Sequence, residues 1–97
     1  VVINPEEEGI INGAWMPTIV FAPEKGVTRD KLQAVFAKDN IDARPFFWPL
    51  SRLAIFDSIC ENVNAWSIPE RAINLPSYHD ITMEDISRVN GVISRLM

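Results

Sequence analysis

Histidine and cysteine are almost missing from this 97-residue sequence: His79 and Cys60 each stand alone. One cysteine excludes an internal disulfide and a cysteine-based zinc site. One histidine leaves only carboxylates as further metal ligands, and Glu6-Glu7-Glu8 reads as a solvated segment rather than a ligand set. Lysine is confined to Lys25, Lys31 and Lys38, and the arginines are scattered singly through a chain of net charge −4. With no basic stripe to neutralise phosphates, no nucleic-acid partner is expected. The four glycines are dispersed and form no phosphate-cradling loop. No apolar run approaches the roughly 18 residues of a membrane span, and no basic-then-apolar signal opens the chain. No membrane is expected, and the cytoplasm is the expected compartment.

What is present is an ordinary globular composition, 47% apolar and 23% charged. A chain of this length folds as one domain and buries roughly 60–65% of its unfolded surface. Three tryptophans and five phenylalanines are many for so thin a core, so some aromatic surface is expected to cover a neighbouring domain. The chain opens on Val1 rather than Met, with Pro5 and three glutamates close behind. We read residues 1–12 as a connecting segment and the whole as a piece of a longer protein.

Along the chain, Trp15–Ala22 is rich in β-formers and reads as a strand, with Pro17 marking an edge or an early strand position. Thr28 is placed to cap a helix in which Leu32, Val35 and Phe36 form the apolar stripe while Arg29, Asp30, Lys31 and Lys38 face water. Asp39-Asn40 ends that helix, and 41–44 reads as a short strand. Residues 62–67 read as a short helix, and Ala72–Leu75 as a third strand. The clearest element is the last helix. Thr82 and Asp85 form a capping box, Ile81 and Ile86 a hydrophobic staple, and Ile86, Val89, Ile93 and Leu96 one face. The expected fold is α/β: a small two-layer domain with a short sheet covered by two main helices.

Few residues are suited to chemistry. Lys25 lies in a turn and the other two lysines on a wet helix face, so none has the desolvated setting a Schiff-base lysine needs. Ser77, His79 and Asp80 are of triad type, but all crowd into one turn, whereas triad members converge from separate elements. Cys60 beside Glu61 reads as a small packing residue. The outstanding stretch is Arg44-Pro45-Phe46-Phe47-Trp48-Pro49-Leu50, stiff, extended and aromatic. Its rings suit stacking on a base or sugar, with Arg44 placed to pair a carboxylate or phosphate; equally, they suit plugging the core or an interdomain seam.

Four stretches then carry a resemblance: residues 12–18, 40–51 (from Asn40-Ile41-Asp42 through Phe46-Phe47-Trp48-Pro49-Leu50-Ser51), 70–77 and 81–86. In order and spacing they resemble the C-terminal domain of the DegT/DnrJ/EryC1/StrS aminotransferases over about residues 12 to 95. The resemblance implies that residues 13–97 are the small C-terminal domain of a fold-type-I enzyme. It implies a pyridoxal-phosphate-dependent homodimer that aminates a keto-deoxy sugar nucleotide of perosamine type, for cell-surface polysaccharide synthesis, typically from glutamate. The Schiff-base lysine and most cofactor contacts would lie in a large N-terminal domain that this chain lacks. No pyridoxal phosphate is therefore expected on this chain alone, which would be inactive in isolation. The resemblance raises Arg44, Phe46, Phe47, Trp48 and Ser51 to substrate-side candidates; many relatives have His where Ser51 stands. The competing expectation is a free-standing, non-catalytic module that binds a ligand or protein through the aromatic loop.

Overall fold

In a computed structural model, which describes residues 2–4, 6–13 and 15–97, four short strands form one antiparallel sheet. Val1 and Pro5 of the connecting segment and Ala14 of the first family-like stretch lie outside the described residues. The strands are β1 (Val2–Ile3), β2 (Thr18–Val20), β3 (Arg44–Pro45) and β4 (Ala72–Asn74). Their order is β1-β2-β4-β3. The helices are α1 (Arg29–Lys38), α2 (Val63–Ser67) and α3 (Met83–Ser94). β2 and β3 both run antiparallel to β4, so β2-α1-β3 is a split β-α-β unit with β4 inserted between its strands. The expected small two-layer α/β fold is what the structure has.

The sheet differs from the sequence reading in detail. It has a fourth strand, β1, inside the segment read as connecting, where Val2 pairs Val20 and Ile3 pairs Ile19. β2 is shorter than expected and interior. Pro17 lies just ahead of it, where only its carbonyl is needed, accepting from the Leu75 N–H at 2.8 Å. β3 begins at Arg44 rather than Ile41, and it carries Pro45 on the sheet's outer edge, where a missing N–H costs no ladder bond.

Both expected main helices stand where the caps put them. The Thr28 hydroxyl accepts from Lys31 N–H at 3.3 Å. At the other end of α1, Asn40 takes a left-handed φ of 54°. Asn40 N–H then reaches Ala37 O, and Ile41 N–H reaches Phe36 O, each at 3.0 Å. These are the two bonds of a Schellman termination, and Ile41 and Phe36 supply its apolar contact. α3 carries the complete capping box between Thr82 and Asp85. Its Arg88 donates to the Asp39 carbonyl at 2.9 Å and its Arg95 pairs with the Asp39 carboxylate, placing two cations at the negative end of α1.

Ile19 and Ile73 lie opposite each other in the register and share one sheet face. Against that face pack Phe21, Val27, Leu32, Phe36, Ile41, Val89, Val92 and Ile93, all buried. Leu32 and Phe36 are buried as expected, while Val35 and Leu96 border the core. A second body of structure, from Phe46 to Ser67, projects from this core. The radius of gyration is 14.7 Å, against about 13 Å for a compact 100-residue domain.

Candidate functional site

The projecting segment starts where Pro45 ends β3. Pro49 is extended, so the chain cannot coil between the two prolines, and the rings of Phe46, Phe47 and Trp48 are held on a stiff strip. Residues 50–52 make one 3-10 turn, and Trp66 of α2 donates its indole N–H to Ile59 O at 3.0 Å. Along the rest, Leu50, Leu53, Ile55, Phe56, Ile59 and Val63 are exposed, Ile55 at 82%.

Arg29 fixes the root of this segment. Its Nη1 donates to Phe46 O at 2.7 Å and Pro69 O at 3.1 Å, and its guanidinium stands 4.6 Å from the Trp48 ring centroid. Arg29 is therefore half-buried and committed, not the water-facing residue that the helical spacing suggested. A signal was available: a cation in the first turn of a helix opposes the helix dipole, and the two carbonyls explain its presence. Arg52 stands over the same ring at 3.5 Å.

The structure separates the five substrate-side candidates. Arg44 borders an open groove of about 520 Å³ whose walls include Trp15, Asn74, Tyr78 and Arg88. That volume lies within the usual range of small-molecule clefts. The Arg44 guanidinium is exposed and paired with Asp42 at 2.8 Å, so an external anion would compete with that carboxylate. Phe46 and Phe47, 6.0 Å apart and tilted, line a smaller groove of about 290 Å³. Trp48 borders neither groove and belongs to the two arginines. Ser51 is half-buried, and its hydroxyl is out of contact with solvent and without a partner among the described residues. None of the three rings is in the core cluster, which removes the expectation that they plug this chain's core.

Sequence reasoning missed Asn74, which lines both grooves. It is 2% exposed; its Oδ1 accepts from the Thr18 hydroxyl at 2.7 Å, while its Nδ2 is buried without an acceptor. Nothing in the spacing of Ala72–Leu75 marks it, because a strand residue's partners come from other strands. Asp85 and Tyr78 also line the larger groove. The Thr82 hydroxyl and N–H, then the Tyr78 phenol, hold the Asp85 carboxyl below its usual range; the hydrogen bond to Asp85 raises the Tyr78 phenol.

Elsewhere the residues show little chemical potential. His79 sits in an exposed turn. Cys60 is exposed, 4.0 Å from the Ser58 hydroxyl, which corrects the expectation of a packing role; its neighbourhood is the outward loop, not the core. Lys25 donates to Met97 O at 3.0 Å on the surface, and Lys31 and Lys38 are exposed. A pyridoxal aldehyde requires a desolvated lysine, and these three do not fit that requirement. Among the described residues no three His, Cys, Asp or Glu gather as a metal site, and no helix is long and apolar enough to cross a membrane.

A model of the DegT/DnrJ/EryC1/StrS aminotransferase family matches residues 1–94. The chain belongs to that family. It is similar to the GDP-perosamine synthase of Vibrio cholerae, 27% identical over 96 residues. That match takes in 94% of this chain but 26% of the relative, so the chain spans about a quarter of that enzyme's length. No solved structure matches the chain.

Proposed function

We propose that this chain is the C-terminal domain of a pyridoxal-phosphate-dependent aminotransferase that aminates a keto-deoxy sugar nucleotide, giving an amino sugar of perosamine type. The observation that carries the reading is the family match over residues 1–94 together with similarity to a relative nearly four times as long. The cofactor, its lysine and the amino-transfer chemistry belong to the remainder of the enzyme, a large N-terminal domain that works as a homodimer in the cytoplasm. When bound there, the cofactor carries the amino group between donor and acceptor. Residues 13–97 supply a wall: the strip from Phe46 to Val63 covers the active-site entrance, with Phe46 and Phe47 against the sugar nucleotide and Arg44 beside them. Ser51 stands where many relatives have His, and its buried hydroxyl lacks a hydrogen-bond partner among the described residues.

The exposure of Leu53, Ile55, Phe56 and Val63 argues against a free-standing module, which would leave these side chains wet. The test is an amination assay on the complete gene product, supplied with pyridoxal phosphate, glutamate and a GDP-linked 4-keto-6-deoxy sugar. Formation of the amino sugar nucleotide with 2-oxoglutarate is expected, and no turnover from the 97-residue chain alone. Stoichiometric pyridoxal phosphate binding and transamination by the isolated chain would sink the proposal.

A further inference from the structure

Arg29 and Arg52 stand over one indole, at 4.6 and 3.5 Å from its centroid. Their guanidinium carbons are thus no more than about 8 Å apart, within the screening length of physiological salt. Neither has a carboxylate partner: the ion pairs among the described residues are Arg44 with Asp42 and Arg95 with Asp39. Among the described residues Arg29 commits only Nη1 to acceptors, leaving Nε and Nη2 without one. The Arg52 guanidinium donates to no acceptor among the described residues. Two unneutralised cations gathered on one indole, one of them half-buried, are an unusual arrangement in an acidic chain of net charge −4.

The cation–π contacts hold the pair, and they also set what it offers. An aromatic face attracts a guanidinium through its charge, so the ring restrains both groups without using their N–H donors. Arg29 is anchored to two carbonyls, and Arg52 follows the 3-10 turn set by Pro49. The donors are therefore pre-positioned, which lowers the ordering cost of a ligand.

We infer that Arg29, Trp48 and Arg52 form an anion-binding platform whose ligand is a diphosphate. A single carboxylate satisfies one guanidinium fork; a diphosphate carries acceptors and charge enough for two, and phosphoryl oxygens match the fork bidentately. The inference deepens the sugar-nucleotide reading and rests on it for the natural ligand, whose diphosphate would lie here. Arg44, already paired with Asp42, is not part of the platform.

The experiment is a titration of the 97-residue chain with inorganic pyrophosphate at constant ionic strength, followed by NMR of the three tryptophan indole N–H groups. Trp48→Phe identifies the Trp48 signal. A saturable shift of that signal is expected, weakened at least tenfold in Arg52→Gln and less in Arg52→Lys, which keeps the charge but loses the fork. Arg52 is exposed, so its variants keep the fold, as the unchanged remainder of the spectrum checks. Absence of saturation, equal binding by Arg52→Gln, or saturable binding of glutamate in place of pyrophosphate would each overturn the platform. Amination by the complete enzyme is read separately. A chain that ignores pyrophosphate within an enzyme that aminates sugar nucleotides loses the platform alone. A chain that binds pyrophosphate at Trp48 within an enzyme that does not keeps the platform and loses the substrate.

Discussion

The sheet with α1 and α3, and the excursion from Phe46 to Ser67, are both rich in large apolar residues, yet only the first buries them. Ile19, Phe21, Leu32, Ile73 and Val92 are fully buried, whereas Ile55 is 82% exposed and Val63 65%. The difference is one of pattern rather than composition. Around the sheet, apolar residues recur at helical or strand spacing, so one face of each element can be removed from water. Between Phe46 and Ser67, Pro49 and the short turns permit no such face. Much of the excursion's apolar surface is therefore left exposed among the described residues.

The comparison breaks first in the core. Phe36→Ala removes a buried ring that the α1 termination also uses, and the expected loss is about 3–5 kcal/mol of unfolding free energy, measured by urea titration. Thr82→Ala comes next, at about 1 kcal/mol, because the hydroxyl cap on Asp85 N–H is lost. The same box makes α3 acid-sensitive. Asp85 titrates below its unfolded value of 3.8, so its contribution is complete above about pH 4 and is lost as pH falls through the lower, folded value. Acid unfolding of Asp85→Asn should lack that share of the pH dependence, which urea titrations below pH 4 will show.

These core features were legible because each is local. Thr28, Asp39-Asn40 and Thr82-x-x-Asp85 state where α1 and α3 begin or end, and 3.6-residue spacing states which face is apolar. β1 was not legible: two residues carry no periodicity, and only pairing with Val20 and Ile19 makes them a strand. The site was legible in composition but not in grouping. Arg44, Phe46, Phe47, Trp48 and Ser51 fall within eight residues of sequence, yet the fold sends Arg44 to one groove, Phe46 and Phe47 to another, and Trp48 to Arg29, seventeen residues before Phe46. Asn74 and Arg29 take their roles from partners far along the chain, and no window of sequence contains those partners.

Gly91 sharpens the contrast from the other side. It sits within α3, and a Cβ placed on it would meet nothing within 4 Å. Gly91→Ala should therefore stabilise the chain by about 0.5–1 kcal/mol, through the unfolded-state entropy it removes. Calorimetry would show a raised Tm; an unchanged or lowered one would mean that this part of α3 packs more tightly than its open surroundings indicate.

The smallest effect on stability is expected in the excursion. Ile55→Ser exchanges an exposed side chain for a polar one, and its unfolding free energy should stay within about 0.5 kcal/mol of the parent. Its consequence should appear in association instead. The isolated chain should bind a hydrophobic dye, and Ile55→Ser should weaken that signal, most clearly when combined with Phe56→Ser. On the proposed reading, in which the excursion covers a neighbouring domain, the same pair should speed protease cleavage within 46–67 of the longer protein while the core's urea midpoint stays unchanged. A large loss of stability in the isolated chain would mean that Ile55 and Phe56 support this fold after all. Equal dye binding and equal cleavage would mean that the excursion covers nothing, and the difference between the two regions would then be one of exposure without a partner.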